Sequence, residues 1–274
     1  MAPASRSTTL ASGLSLSYGE QGTSSSASST LVLLPGPTDS WRSFAPLLAQ
    51  LPASVHVFAV SPRGHGDSDK PEAGYAVEDM AEDVGAFLDA VGISRVVVAG
   101  HSGAGLVARR FALDHPARVA GLVLLAAPTT LRGHDGLQAF ASSILSGLAD
   151  PIDPALARSL VADTSGPQLP ASFADDMVEE ILKAPARVWH QTFGGVLSYD
   201  DVEELDRIEA PTLLVWGDAD DVVSREMQDA LVSRLAAAEL VVYAGLGHSP
   251  HWEDPVRVAS DVAAFVERVG ALPG

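Results

Sequence analysis

The 274-residue chain contains no cysteine, and this absence removes several kinds of chemistry. Disulfide bonds, thiolate metal sites and a cysteine nucleophile are all excluded. Basic residues are also scarce, because 17 lysines and arginines stand against 35 aspartates and glutamates, which gives a formal net charge of −18. Nucleic acids and anionic membrane surfaces attract basic patches, so neither is an expected partner, and polyanionic substrates are disfavoured.

Long hydrophobic runs are missing as well. No stretch is apolar enough over a sufficient length to span a bilayer, and the first residues, MAPASRSTTLASGLSLSY, lack the apolar centre of a secretion signal. We therefore expect a cytoplasmic protein without a membrane partner. The apolar fraction of 47%, with 24 glycines and 18 prolines, is typical of a globular chain with a core and many turns.

Short apolar runs alternate with amphipathic helical patterns through most of the chain. This alternation predicts an α/β fold with a mostly parallel sheet covered on both faces. The Ser-rich stretch TSSSASS (23–29) between the first two predicted strands is expected to be a flexible turn. The predicted strands are LSLSY (14–18), TLVLLP (30–35), VHVFAVS (55–61), RVVVAG (95–100), VAGLVLLAA (119–127), PTLLVWGD (211–218) and LVVYAG (240–245).

Residues 130–204 interrupt the alternation, because they show three or four helical patterns and no strand. We interpret this segment as a helical insertion between two strands of the sheet. The predicted organisation is therefore one core, formed by residues 1–129 and 205–274, with an inserted helical segment at 130–204.

The stretch VVVAGHSGAG (96–105) places Ser102 between a buried strand and a helix, with small residues on both sides. The pattern G-x-S-x-A is one methyl group from the G-x-S-x-G turn that lifts a nucleophilic serine above a parallel sheet. A serine between glycines is also typical of an ordinary helix N-cap. Residues 103–108 further match G-x-G-x-x-A, a dinucleotide fingerprint, but the acid expected about 20 positions later is absent from LVLLAAPTT.

A nucleophilic serine needs a general base and an acid that orients the base. Downstream of Ser102, the predicted strand PTLLVWGD is followed by several acids, Asp218, Asp220, Asp221 and Glu226, and His248 follows the last predicted strand. All three residue types therefore occur after strand ends, in the order serine, acid, histidine. His248 and His251 are three positions apart, a spacing also found in metal sites, but no third ligand accompanies them, so no metal site is expected.

Five segments together resemble the α/β-hydrolase fold superfamily, in its serine hydrolase branch with a helical cap. The resemblance implies the α/β-hydrolase fold, with Ser102 as nucleophile, His248 as general base and Asp220 as orienting acid in the pattern G-x-x-D that starts at Gly217. Serine at the turn further implies transfer of an acyl group to water, without a cofactor, so a small-molecule ester or lactone is the expected partner. The segments are LLPGPTDSWRSF, SPRGHGDSDKP, VVVAGHSGAGLVARRFALDHP, PTLLVWGDADDVV and GLGHSPHWEDP.

The same resemblance places one oxyanion donor at the N–H of Gly103 and the other in the loop PGPT. The aligned position in that loop is Pro37, which has no N–H. Thr38 is the replacement that we favour. For the function, two alternatives remain open: cofactor-free non-ester chemistry on the same fold, such as carbon–carbon hydrolysis, perhydrolysis or cyclisation, and a ligand-binding receptor with little turnover.

Apolar and small residues beside the loop and in the helical segment indicate a hydrophobic substrate, since this segment has few Lys or Arg to hold an anion. The chain is expected to be a monomer or a homodimer. The predicted substrate contacts are Gly36, Trp41, Phe140, Met177, Trp189 and Phe193.

Overall fold

The computed structural model describes residues 3–23, 30–166 and 169–271, so most of the Ser-rich stretch 23–29 lies outside the described residues. Eight strands form one sheet in the order β1-β2-β4-β3-β5-β6-β7-β8. The first two strands and the β2–β4 pair are antiparallel, and every other neighbouring pair is parallel. The predicted mostly parallel sheet is confirmed. The strands are β1 Ser5–Thr9, β2 Ser15–Gln21, β3 Thr30–Leu34, β4 Val57–Val60, β5 Val96–His101, β6 Val119–Leu125, β7 Thr212–Gly217 and β8 Ala238–Tyr243.

Helices cover both faces of the sheet, as alternating side-chain directions along its strands require. In β5, Val96 and Val98 join the core beneath one set of helices, whereas Val97 and Ala99 join the core on the opposite face. None of the helices in the described residues is long and apolar enough to cross a membrane. The helices are α1 Ala45–Leu48, α2 Val77–Ala90, α3 Ala104–Asp114, α4 Asp135–Leu145, α5 Pro154–Asp163, α6 Ala171–Ile181, α7 Ala186–Ser198, α8 Arg225–Arg234, α9 Pro250–Glu253 and α10 Pro255–Gly270.

The edge strand β1 has no counterpart among the predicted strands. Its sequence, SRSTT, is polar and mostly exposed, so it carries no hydrophobic alternation from which a strand could be inferred. It is held by antiparallel pairing with β2, from Ser5 opposite Gly19 to Thr9 opposite Ser15. An exposed edge strand needs backbone partners more than apolar side chains, and its sequence alone does not show where those partners are.

Helices α4 to α7 lie between β6 and β7 and share an apolar cluster separate from the two that cover the sheet. Arg109 of α3 anchors this segment at both ends: its guanidinium donates to the carbonyls of Pro128 and Thr129 at 3.0 and 2.8 Å, and to the Asp201 carboxylate at 2.7 and 3.1 Å. Both charged side chains are fully buried. The chain segments just before and just after the four helices are therefore held to α3, the helix that follows Ser102.

Candidate active site

The turn between β5 and α3 holds Ser102 in a strained backbone conformation with φ of +51°. A non-glycine residue rarely adopts this region, and such strain is often found where a side chain must be held in a special position. Close packing explains the small neighbours: a Cβ on Gly100 would lie 2.3 Å from the Ala104 carbonyl oxygen, and one on Gly105 would lie 2.4 Å from Ala127 Cβ. A larger residue at either position would push the turn open.

A chain of hydrogen bonds joins the three residues that the sequence analysis put forward. The distance between Ser102 Oγ and His248 Nε2 is 2.9 Å, and His248 Nδ1 lies 3.0 Å from Asp220 Oδ2. The Asp220 side chain is fully buried, and that of His248 is 5% exposed. The carboxylate can only accept, so Nδ1 carries the hydrogen when the imidazole is neutral, and Nε2 is left to accept the Ser102 proton.

Backbone amides and nearby side chains hold Asp220 and His248 in place. Asp220 Oδ1 accepts from the N–H groups of Val222 and Val223 at 2.8 and 2.9 Å. The loop that carries His248 is bound from below by Glu253, whose carboxylate accepts from the N–H of Gly247 at 2.9 Å. The neighbouring acids have other surroundings, since Asp218 accepts from the Gly245 N–H and Asp221 is exposed.

Two further buried histidines, His101 and His251, lie against His248. His101 donates from Nε2 to the His248 carbonyl oxygen at 3.0 Å, so it helps to fix the loop. Burial, and next to it the charge that His248 can carry, lowers the pKa of His101 to about 3. Burial also lowers the pKa of His251 well below its usual value. Both rings are therefore neutral near pH 7 and add no positive charge beside His248.

The loop that contains Pro37 and Thr38 is tightly constrained. Pro37 packs on Gly103, because a Cβ on that glycine would lie 2.9 Å from Pro37 Cγ. Thr38 follows with φ of +76°. Its Oγ1 is buried and has no hydrogen-bond partner within the described part of the chain. A strained threonine with an unpaired hydroxyl therefore stands beside the position where Pro37 cannot donate.

Ser102 and His248 border two adjoining spaces. The first, of about 550 Å³, has a mostly apolar wall that includes the predicted contacts Phe140 and Phe193. The second, of about 360 Å³, includes Gly36 and the polar side chains of Thr38, Asp39 and Thr164. Sequence reasoning missed most of the remaining wall, because it comes from separate loops and helices without a shared motif. These residues are Leu131, Leu137, Ala141, Leu160, Val161, Ile181, Val196, Leu197, Val222 and Trp252.

Three of the predicted substrate contacts lie elsewhere, and their assignment to the substrate site is corrected. Trp41 is buried in the core, where its ring fills the space that a side chain on Gly19 would need. Met177 and Trp189 are buried within the cluster shared by α4 to α7. Large apolar side chains contribute most when fully buried, so these three stabilise the packing of the core and of the helices instead of bordering the space at Ser102.

Asp39 is a buried carboxyl group beside Ser102 that the sequence did not single out. Its Oδ2 accepts from Ser43 Oγ at 3.0 Å, and the same hydroxyl lies 3.2 Å from His251 Nε2. Burial raises the pKa of Asp39 to about 7, against the smaller opposite effect of the bond from Ser43. The protonated carboxyl group is thus favoured in the folded protein over a wide acidic range.

Replacement of Asp39 by asparagine should change how the free energy of unfolding depends on pH. A carboxyl group whose pKa rises from 3.8 to about 7 on folding contributes stability that is fully present below pH 3.8 and is lost progressively as the pH rises from 3.8 to about 7. Asparagine does not titrate, so the free energy of unfolding of the variant should rise relative to that of the wild type between pH 4 and 7, by about 4 kcal/mol in total. Urea unfolding of both proteins at several pH values measures this difference.

The buried histidines titrate in both proteins, so their effects cancel in the comparison. Asp221→Asn is the matched control, because the Asp221 side chain is exposed. A difference between wild type and Asp39→Asn that stays constant from pH 4 to 7 would contradict the raised pKa.

The described residues offer no group of three His, Asp or Glu side chains placed to hold a metal ion. His248 Nε2 lies 2.9 Å from Ser102 Oγ, and His251 Nε2 lies 3.2 Å from Ser43 Oγ. The two imidazoles are thus directed to different hydroxyl groups.

Comparison with known proteins agrees with this architecture. The profile of the alpha/beta hydrolase fold matches residues 30–255. A non-heme chloroperoxidase from Streptomyces lividans is 27% identical over 234 residues, which cover 81% of this chain and 85% of that protein. The crystal structure of an esterase from Rhodococcus sp. ECU1013 has a TM-score of 0.84 and 27% identity, and covers 97% of this chain and 99% of the esterase.

A structure described as an N-acyl homoserine lactone degrading enzyme has a TM-score of 0.80 and 25% identity, and covers 95% of this chain and all of that one. The family profile spans most of the chain, and the order of the strands in the sheet is the one expected of the fold. Ser102 lies in the turn after β5, Asp220 after β7 and His248 after β8, as the fold also leads one to expect. The chain therefore belongs to the alpha/beta hydrolase fold family.

Proposed function

We propose that the protein hydrolyses a carboxylic ester or lactone of a hydrophobic small molecule, with Ser102, His248 and Asp220 as a catalytic triad. The observation that carries the proposal is the hydrogen-bond chain from Ser102 Oγ through His248 to Asp220. Ser102, at one end of this chain, borders an apolar cavity. A solitary helix N-cap serine would need neither the histidine nor the buried carboxylate.

In this mechanism His248 Nε2 takes the proton of Ser102 as Oγ attacks the substrate carbonyl. The tetrahedral oxyanion is stabilised by the N–H of Gly103, at the start of α3, where the helix leaves unpaired donors and a positive dipole end. His248 then gives its proton to the leaving alkoxide. Water, activated by the same imidazole, cleaves the acyl-enzyme, and Asp220 keeps the ring in the required tautomer throughout.

The segment 130–204 acts in this proposal as a cap over the serine. Helices α4, α5 and α7 supply apolar side chains to the larger of the two spaces at Ser102, including Phe140, Leu160 and Phe193. An apolar wall favours a hydrocarbon portion of the substrate there, because burial of apolar surface is favourable by about 25 cal/mol per Å². The smaller space, with Thr38, Asp39 and Thr164, suits the more polar portion.

The names of the relatives support the chemistry in outline. An esterase and a lactone-degrading enzyme share the fold over nearly the whole chain. The chloroperoxidase relative favours one second candidate, perhydrolysis, in which hydrogen peroxide in place of water attacks the acyl-enzyme carbonyl, the Ser102 oxygen leaves and a peracid is released. Product analysis with and without hydrogen peroxide separates the two, since both start from the same acyl-enzyme.

A fluorophosphonate probe should label the protein once, at Ser102. The probe forms a bond between phosphorus and Oγ and expels fluoride, and it reacts only with an activated serine. Intact-mass analysis is expected to show one adduct on wild type and none on Ser102→Ala. If folded wild type stays unlabelled at high probe concentration, the serine is not activated, and the acyl-enzyme mechanism is wrong.

Replacement of Thr38 by valine should lower kcat for an ester about a hundredfold, with little change in KM, if its hydroxyl is the second oxyanion donor. Valine keeps the shape and the β-branch at this strained position, so the loss would report on the hydroxyl. Thr38→Ser keeps the hydroxyl and should retain most activity. An unchanged kcat in Thr38→Val would exclude the hydroxyl as the donor.

A further inference from the structure

A second apolar cavity lies on the other side of the Pro37 loop from Ser102. It holds about 590 Å³, part of it open to solvent, between the sheet, α2 and α3. Pro37 and Gly103 border both this cavity and the space at Ser102, so they form the wall between the two. The apolar lining includes Leu16, Val32, Met80, Val84, Phe87 and Val107.

Two polar atoms at this apolar cavity lack partners. His65 Nε2 and Thr192 Oγ1 are buried and make no hydrogen bond with any described residue. The two side chains, 0% and 2% exposed, both border the cavity. A buried polar group without a partner costs about 1–3 kcal/mol, so two of them at one hydrocarbon-lined space indicate that the space accommodates a molecule with a polar group.

The hydrogen-bonding role of His65 follows from its other nitrogen. Nδ1 lies 2.8 Å from the carbonyl oxygen of Arg63, which can only accept, so Nδ1 carries a hydrogen. Burial lowers the pKa of His65 to about 4, and the ring is neutral near pH 7. Nε2 is therefore an acceptor that needs a donor, whereas the hydroxyl of Thr192 can donate as well as accept.

His65 and Thr192 belong to two segments that pack against each other, the loop that contains Gly64 and helix α7. A Cβ on Gly64, next to His65, would lie 2.6 Å from Val188 Cγ1. Val188 precedes Thr192 by one turn on the same face of α7. Asp83, the other polar residue at the cavity, already accepts two hydrogen bonds from Arg63, at 2.6 and 2.7 Å.

We propose that this cavity is a binding site for an aliphatic or aromatic molecule that carries a hydroxyl group. The hydroxyl donates to His65 Nε2 and accepts from Thr192, and the hydrocarbon portion occupies the apolar space. Carboxylates are disfavoured because no lysine or arginine is among the described residues that line the cavity, which already borders the Asp83 carboxyl group. The site does not depend on the chemistry of Ser102, since neither Ser102 nor His248 borders it among the described residues.

The test uses linear 1-alkanols from butanol to decanol, with alkyl methyl ethers of equal length, which accept hydrogen bonds but cannot donate them. Calorimetric titration gives the affinity, and the ¹⁵N resonance of His65 Nε2 reports on the hydrogen bond. We expect saturable binding of an alkanol, a shift of that resonance, and about tenfold weaker binding of the ether, since one hydrogen bond is worth roughly that factor.

Two substitutions locate the ligand. Thr192→Val removes only the hydroxyl and should weaken alkanol binding about tenfold. Val107→Phe fills the cavity and should abolish binding. Thr164→Val is the matched control, because Thr164 borders the space at Ser102 but not this cavity, and it should leave the affinity unchanged.

Equal affinity for alkanol and ether without a shift at His65, or an affinity unaffected by both Thr192→Val and Val107→Phe, would overturn the proposal. The absence of any saturable binding would overturn it too, and would mean that His65 and Thr192 bind water only. If the Ser102→Ala variant binds the alkanol as tightly as the wild type does, the occupant is an alcohol that binds independently of the reaction at Ser102. Loss of binding in that variant, with the shift at His65 retained in wild type, would instead indicate a hydroxylated substrate reaching across from Ser102.

Discussion

Replacement of Ser102 by alanine is expected to lower the turnover of a carboxylic ester at least about ten-thousandfold. In the proposed mechanism, alanine removes the attacking oxygen and leaves the cavity and the proposed oxyanion donors in place. Asp220→Asn should cost about the same factor, because an amide at this position can donate to His248 Nδ1 and favours the wrong tautomer. Steady-state kinetics with an activated ester, such as an aryl butyrate, measures both.

These losses should be strongly non-additive. Once Ser102 is gone, His248 has no hydroxyl to deprotonate, so the double variant Ser102→Ala/His248→Ala should be about as active as either single variant. Asp221→Asn is the control for Asp220→Asn, since its side chain is exposed, and it should retain full activity. Retention of more than about a tenth of the wild-type rate in Ser102→Ala would show that ester cleavage does not use this serine.

The second large effect concerns the buried ion pair between Arg109 and Asp201. Asp201→Asn keeps the shape of the side chain but leaves a fully buried guanidinium without its counter-charge. Removing one member of a buried pair typically costs 3–5 kcal/mol, so the free energy of unfolding should fall by about 4 kcal/mol. Urea unfolding followed by circular dichroism measures the change.

The double variant Arg109→Met/Asp201→Leu should recover most of this stability, because apolar residues of similar volume can replace a buried pair. The exposed pair Arg158–Asp175 provides the control: Asp175→Asn should change stability by less than about 1 kcal/mol. A double variant as unstable as Asp201→Asn would mean that Arg109 matters through its bonds to Pro128 and Thr129.

The ion pair also links stability to the site. Arg109 lies on the helix that begins just after Ser102, and its partners lie just before and just after helices α4 to α7. Loss of the pair should therefore loosen these helices before the sheet unfolds. Hydrogen exchange in Asp201→Asn is expected to rise first in α4 to α7, where the apolar side chains at Ser102 originate.

Local chemistry determined the central part of this protein. The apolar runs of β3, β5, β6 and β7 are buried on both faces, so a continuous hydrophobic stretch bounded by glycine or proline is enough to predict them. The serine turn is equally local, because Gly100, Ser102 and Gly105 are spaced so closely that their steric demands appear directly in the sequence. The positions of Ser102, Asp220 and His248, each after the end of a predicted strand and in this order, were enough to predict that the three residues act together.

The tertiary structure decided what depends on contacts between distant segments. Trp41, Met177 and Trp189 are large apolar residues of the kind that lines a substrate pocket. The packing of the segments that carry them buries their side chains in cores instead. Asp39 lies beside Ser102 because a loop after β3 meets the turn after β5, and no pattern in the sequence encodes that approach. The unpartnered atoms of His65 and Thr192 share one cavity for the same reason. Hydrophobic period and turn chemistry act over a few residues, whereas burial and hydrogen-bond satisfaction are properties of the assembled core.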